Sequence, residues 1–246
     1  MRKAALVSIF AALTTLAAEG LPCLAQDSAS FGGIQSFGLS ASYAGDSSHI
    51  LIGESEQRRT WTAGAEYTRL LRESPHFRLD YEGSVMPVFE ETDPTVTGTV
   101  FTSSGSQIVT PQPPIRVVSV THDPVGSILA GSGAIVPIFA QFGRQSTYAA
   151  AVTPLGARIS AMPHWRLQPS LALDLGFVFS SRDIPVDNSA QFNYLLSFGP
   201  GVQFFGDNHT SWRVDYMIRH VSNAGKGDQN PGIDQGVLRI TVSLHR

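Results

Sequence analysis

The sequence predicts an all-β fold, an eight-stranded antiparallel transmembrane β-barrel with long extracellular loops and short periplasmic turns. Three observations carry this. A hydrophobic period of two runs through segments too long for ordinary strands, and the connections between them alternate strictly between short and long. Charged residues are also sparse, at 15% of 246 residues, where a soluble domain carries about 25%. No segment after residue 25 offers the roughly 20 consecutive apolar residues that a membrane helix needs. A formal charge of −3 excludes a strongly basic nucleic-acid binder, so no nucleic-acid partner is expected.

Residues 1–25 read as a signal peptide. Arg2 and Lys3 form its basic start, residues 4–18 its apolar stretch, and Cys23-Leu24-Ala25 its cleavage site. The single cysteine leaves with it, which removes disulfides, thiol nucleophiles and Cys-ligated metals. Residues 26–246 then form one β-barrel domain with a long extracellular insertion over 90–147.

The strands are expected at 33–43, 59–71, 76–89, 148–160, 165–180, 191–205 and 211–221, with a last one through Leu238, Ile240, Val242 and Leu244. The fifth is the clearest. Trp165, Leu167, Leu171, Leu173, Leu175, Phe177 and Phe179 share one parity, and Arg166, Gln168, Ser170, Asp174 and Ser180 the other. Trp61, Tyr67, Phe77, Tyr81, Trp165, Phe192, Trp212 and Tyr216 fall toward strand ends, as in an aromatic girdle. The connections run long (44–58), short (72–75), very long (90–147), short (161–164), long (181–190), short (206–210) and long (222–236). With both termini periplasmic, every long one is extracellular. Within 90–147, the apolar piece 134–142 either extends a strand or joins a lid. Pro154, Pro169 and Pro200 lie inside strand patterns, where bulges must absorb the lost ladder bonds. Asp80, Glu82 and Asp174 are expected to pair with arginines inside the barrel, because an unpaired buried charge is costly.

The segment Tyr216-Met217-Ile218-Arg219-His220-Val221-Ser222-Asn223 holds the candidate chemistry. Trp212, Val214, Tyr216 and Ile218 must face lipid, and the same parity carries His220 and Ser222 to the outer face at the extracellular end. Residues two apart on a strand are same-face neighbours, so the imidazole stands within reach of a hydroxyl proton. Asp234 re-enters the last strand with the outward parity of Leu238 and Ile240, available to orient the imidazole. Asn223 and Asn230 are candidate oxyanion donors.

His220-x-Ser222-Asn223-Ala224 followed by Asn230-Pro231-Gly232-Ile233-Asp234 resembles the C-terminal signature of the lipid A 3-O-deacylases, the PagL family of outer-membrane barrels. Residues 153–158 (Thr-Pro-Leu-Gly-Ala-Arg) and Leu167-Gln168-Pro169 resemble more distant members. The match is close over about the last 30 residues and elsewhere rests on strand layout. The resemblance implies an outer-membrane serine esterase that hydrolyses the 3-O-linked acyl chain of lipid A. In it Ser222 is nucleophile, His220 base and Asp234 the third member, where the family usually has Glu. Arg219, Arg58 and Arg59 are candidate contacts to the phosphates of that substrate, by the bidentate geometry of guanidinium.

The remaining histidines, at 49, 76, 122, 164, 209 and 245, lack ligand spacing, so no metal is expected, and the hydrolysis requires no cofactor. Ser222-Asn223-Ala224-Gly225 and Asn230-Pro231-Gly232 also read as ordinary turns. The alternative reading is therefore a non-catalytic outer-membrane barrel with an envelope-structural or adhesion role. A soluble periplasmic barrel holding a small lipid is the third. Homo-oligomerisation is not readable from the chain.

Overall fold

The computed structural model describes residues 31–103, 106–120 and 123–246; the expected signal peptide lies outside the described residues. Ten antiparallel strands are present among them: β1 (Gln35–Ala44), β2 (Arg59–Glu73), β3 (Phe77–Ser103), β4 (Ser106–Arg116), β5 (Gly126–Leu129), β6 (Ile135–Ala161), β7 (Leu167–Ile184), β8 (Ala190–Phe205), β9 (Thr210–Ser222) and β10 (Ile233–His245). Eight of them close a ring in the order β3-β2-β1-β10-β9-β8-β7-β6, with β6 pairing back onto β3.

The ring is inverted relative to a soluble core. Phe37, Leu39, Leu171, Leu173, Leu175, Trp212, Val214, Tyr216, Leu238 and Ile240 are exposed on its outside. Glu66, Glu82, Arg158, Arg213 and Asp215 are buried inside. An apolar exterior over a polar interior is the arrangement a membrane-spanning barrel requires. Inside, Arg158, Arg213 and Arg239 each answer more than one carboxylate. Arg158 meets Glu82 at 2.8 Å and Asp215 at 2.9 Å, Arg213 meets Glu66 at 2.5 Å, and Arg239 bridges Glu82, Asp174 and Asp215 at 2.9–3.1 Å. Asp80 pairs with Arg78 at 2.8 Å. The expected lumenal pairing of Asp80, Glu82 and Asp174 is therefore what the fold contains. Above this ionic layer Met86, Phe89, Val178, Leu195, Val221 and Ile233 pack into an apolar plug. Side chains, ionic below and apolar above, therefore fill the lumen.

Two expectations about connections need correcting. Residues 90–147 are not a free loop. β3 and β6 continue as paired strands well past the ring, from Phe77↔Ala161 to Phe101↔Ile138, and β4 and β5 add to their outer edges. The apolar 134–142 piece extends β6, since its backbone groups are satisfied by the partner strand. Likewise β7 runs on to Ile184 and β8 begins at Ala190, so the long 181–190 connection shrinks to a tight turn. Of the three prolines, Pro154 sits at a register shift between Val152 and Leu155. Pro169 and Pro200 stay in register, opposite Val202 and Leu171.

The extension carries its own buried charge. Asp93 takes Arg58 at 3.4 Å and Arg116 at 3.7 Å. Glu91, two residues away on the same face, is equally buried and neither of its oxygens accepts a hydrogen bond. Burial, joined by the neighbouring Asp93 charge, pushes the Glu91 carboxyl well above its ordinary range despite the opposing pull of Arg58 and Arg116. A proton on Glu91 converts an unpartnered acceptor into a donor toward Asp93.

Candidate active site

The β9–β10 hairpin builds the site by register alone. His220 and Asp234 are direct cross-strand partners, so their side chains leave the same face of the sheet side by side. His220 Nδ1 lies 2.6 Å from Asp234 Oδ1. The Asp side chain, shorter by a methylene than Glu, reaches because no diagonal has to be spanned. With the Nδ1 proton donated to the carboxylate, Nε2 is left as the free acceptor of the ring.

Asp234 itself is held from its far side. Its Oδ2 accepts hydrogen bonds from the backbone N–H groups of Leu51 at 2.5 Å and Gly53 at 2.9 Å. The loop that supplies them, residues 45–58, folds back along the start of β10. Ser48 N–H donates to Asp234 O at 3.1 Å, Ser55 N–H to Gly232 O at 3.0 Å and Glu54 N–H to Pro231 O at 2.5 Å, and Ser55 bridges Ile233 in parallel. Arg58 anchors its end, donating to Glu56 O at 2.7 Å, Pro185 O at 3.2 Å and the carbonyls of Val117 and Val118. Asp234 is in consequence completely covered, although its parity points outward. His220 keeps 12% of its side chain exposed.

Two glycines are needed for this closeness. A Cβ on Gly53 would stand 2.7 Å from Asp234 N and 2.9 Å from its Cγ and Oδ1. Gly232 has φ +59°, and a Cβ there would stand 3.1 Å from His220 Cε1. The Asn-Pro-Gly turn thus brings backbone so close to the ring that an added Cβ would force the ring to give way, on top of the strain of a positive φ.

Ser222 follows His220 on the same outward face at the end of β9, half-buried. Among the described residues its hydroxyl has no hydrogen-bond partner, and none joins it to the His220 ring. Such bonds often tighten only in the substrate complex. Asn223 and Asn230 are brought together, as builders of the turn. Asn223 is buried, its amide donates to Gln229 O at 2.8 Å, its Oδ1 accepts from Gly225 N–H at 2.8 Å, and its own N–H donates to Asn230 Oδ1 at 3.1 Å. Asn230 is exposed, with its amide nitrogen uncommitted among the described residues.

The candidate phosphate contacts fare differently. Arg219 has lumenal parity, is buried, and lies over the Phe89 ring at 5.8 Å. Arg58 is buried in the loop scaffold. Neither can meet a headgroup in the outer leaflet. Arg59 is exposed but ion-paired with Asp46 at 2.7 Å, and its hydrogen bond holds the Asp46 carboxyl below its ordinary value. Sequence reasoning missed the contribution of Leu51 and Gly53, because a backbone donor leaves no residue signature. The one available signal was the apolar Ile50-Leu51-Ile52 in an otherwise polar loop, ending on glycine. It also passed over Tyr194, the direct partner of Ser222 across β8–β9.

The family model described as lipid A 3-O-deacylase (PagL) matches residues 142–243, a span that contains His220, Ser222 and Asp234. Among solved structures, the chain is similar to the outer membrane enzyme PagL at 13% identity, over 83% of this chain and 97% of that one, with a TM-score of 0.49. It is similar to Neisserial surface protein A at 11% identity, over 86% and 97%, with a TM-score of 0.40. For the outer membrane protein OprG from Pseudomonas aeruginosa the values are 10%, 88%, 99% and 0.41. No curated protein sequence matches the chain.

Proposed function

We propose, from the match of its site-bearing strands to the lipid A 3-O-deacylase family, that this chain is an outer-membrane esterase acting on lipid A in the outer leaflet. The observation that carries the reading is the 2.6 Å contact between His220 Nδ1 and Asp234, on the lipid-facing side of the hairpin where Ser222 also emerges. Ser222 Oγ attacks the ester carbonyl of the 3-O-linked acyl chain while His220 Nε2 takes its proton. Asp234 fixes the tautomer and stabilises the imidazolium that forms. Collapse of the tetrahedral intermediate expels the sugar hydroxyl, which takes the proton back from His220, and leaves the acyl group on Ser222. Water, deprotonated by His220, then releases the fatty acid and restores the serine. Turn donors such as Asn230 Nδ2 are suited to the oxyanion, since its amide is exposed beside the hairpin.

A lateral site suits this substrate. The plug of Phe89 and its neighbours closes the lumen, and a lipid diffusing in the leaflet meets the outer face directly. The test is a lipid A mass spectrum from cells making wild type or Ser222→Ala at matched membrane levels. Loss of one 3-hydroxyacyl chain with the wild type alone is expected. Intact lipid A in both would overturn the reading in favour of a non-catalytic barrel.

A further inference from the structure

The turn between β9 and β10 carries a cation that ester hydrolysis does not use. Lys226 Nζ donates to the Tyr194 hydroxyl at 2.6 Å and lies 4.7 Å from the Tyr194 ring centroid and 5.2 Å from that of Phe192. Among the described residues no carboxylate forms an ion pair with it. An ammonium has three donors, so a phenol and two ring faces orient it and leave hydrogen-bonding capacity over.

Its seat adjoins the proposed nucleophile. Tyr194 and Ser222 are Cα partners, about 5 Å apart as antiparallel pairs are, and both side chains point outward. Phe192 stacks on Phe177 at 5.5 Å and meets Phe179 edge-on at 5.2 Å. Four rings, Phe177, Phe179, Phe192 and Tyr194, therefore form an apolar floor on the outer face. That floor ends at Ser222, with an ammonium at its watery edge. A patch apolar at one end and cationic at the other complements an amphiphile with an anionic head. The other candidate cations are spent: Arg58 and Arg219 are buried and Arg59 is held by Asp46.

We infer that Lys226, seated on Tyr194 and Phe192, anchors a phosphate on the head of the ester lipid while the ring floor takes acyl chain, so that the ester is presented to Ser222. This rests on the reading of Ser222 as nucleophile, and the experiment separates the two. In Ser222→Ala protein, folded full-length in zwitterionic micelles, binding of lipid A and of its dephosphorylated form is titrated calorimetrically. Lys226→Gln is expected to weaken the phosphorylated lipid about tenfold, as loss of one charge-assisted contact does, and to leave the dephosphorylated one unchanged. Lys226→Arg retains the affinity. With Ser222 restored, Lys226→Gln raises KM by the same factor and leaves kcat alone. Equal weakening of both lipids, or of neither, would overturn the anchor. So would inorganic phosphate alone binding with the same Lys226 dependence, which would assign the seat to a free anion. A wild type that hydrolyses nothing refutes the nucleophile, and the titration in Ser222→Ala still decides the anchor.

Discussion

Gly53→Ala is the substitution that most sharply separates positioning of Asp234 from its mere presence. The added methyl would meet the Asp234 carboxylate carbon and oxygen at 2.9 Å and its backbone nitrogen at 2.7 Å. Ordinary carbon contacts lie at about 3.5–4.0 Å, so a separation of roughly 0.5–1 Å must be recovered. Asp234 backbone is locked in the ladder to His220, and its side chain has only two torsions. The carboxylate swings or the loop lifts, and either way the Leu51 and Gly53 N–H groups release Oδ2. A misplacement of about 1 Å in a catalytic group costs on the order of 10²-fold. Removing the orienting function of the carboxylate altogether sets a ceiling near 10⁴-fold. For release of fatty acid from lipid A in mixed micelles, kcat is therefore expected to fall about 10²-fold. KM should be unchanged, because the loop's contact is with Asp234 and not with Lys226 or the ring floor. Far-UV circular dichroism and heat-modifiable gel mobility report that the barrel has closed. Ile52→Ala, at an exposed residue of the same loop, is the control and should retain full activity. A closed Gly53→Ala barrel with wild-type kcat would refute the claim that the loop sets Asp234.

Asp234→Glu introduces the residue usual in the resembled family, yet it is expected to lower kcat by about 10²-fold. The completely covered site is filled to aspartate length by Leu51 and Gly53, so full activity in this variant would contradict the fit described here. Glu91 governs a pH effect remote from the chemistry. A carboxyl whose folded pKa is raised above its unfolded value, near 4.5, adds no penalty below that pH. Stability is lost as pH rises from there through the raised folded value. Glu91→Gln should thus raise the unfolding temperature in detergent at pH 8 and leave it unchanged at pH 4; a Tm difference independent of pH would show that the carboxyl titrates alike in the folded and unfolded chain.

The barrel was legible because period two and loop alternation are one-dimensional signals. The parity of Leu171, Leu173 and Leu175 against Asp174 decides which face is buried, without knowledge of any partner strand. The same parity placed His220, Ser222 and Asp234 on one face, and direct register then put His220 against Asp234. What escaped was set by contacts distant in sequence. The 90–147 stretch lacks clean alternation because most of β4 and β5 lies at exposed edges, where neither face needs to be apolar. Arg219 and Arg58 looked like free cations, yet one points into the lumen and the other into carbonyls that only the folded loops bring together. Leu51 and Gly53 act through backbone amides, which every residue but proline owns. Lys226 gains its meaning from Tyr194, 32 residues away in sequence.

One arrangement ties fold to function. The ionic lumen and apolar plug fill the inside of the cylinder, and His220, Ser222 and Asp234 share the outward parity of its wall. Strand register sets His220 against Asp234, and the 45–58 loop covers Asp234 from the other side.

The most direct test of the central claim is covalent. Purified barrel is treated with a long-chain p-nitrophenyl phosphonate, and the intact and peptide masses are measured. One adduct per chain is expected, on Ser222, formed much more slowly when Asp234 or His220 is replaced by alanine. A wild-type chain that closes as a barrel, hydrolyses no acyl ester and stays unlabelled at Ser222 would contradict that claim.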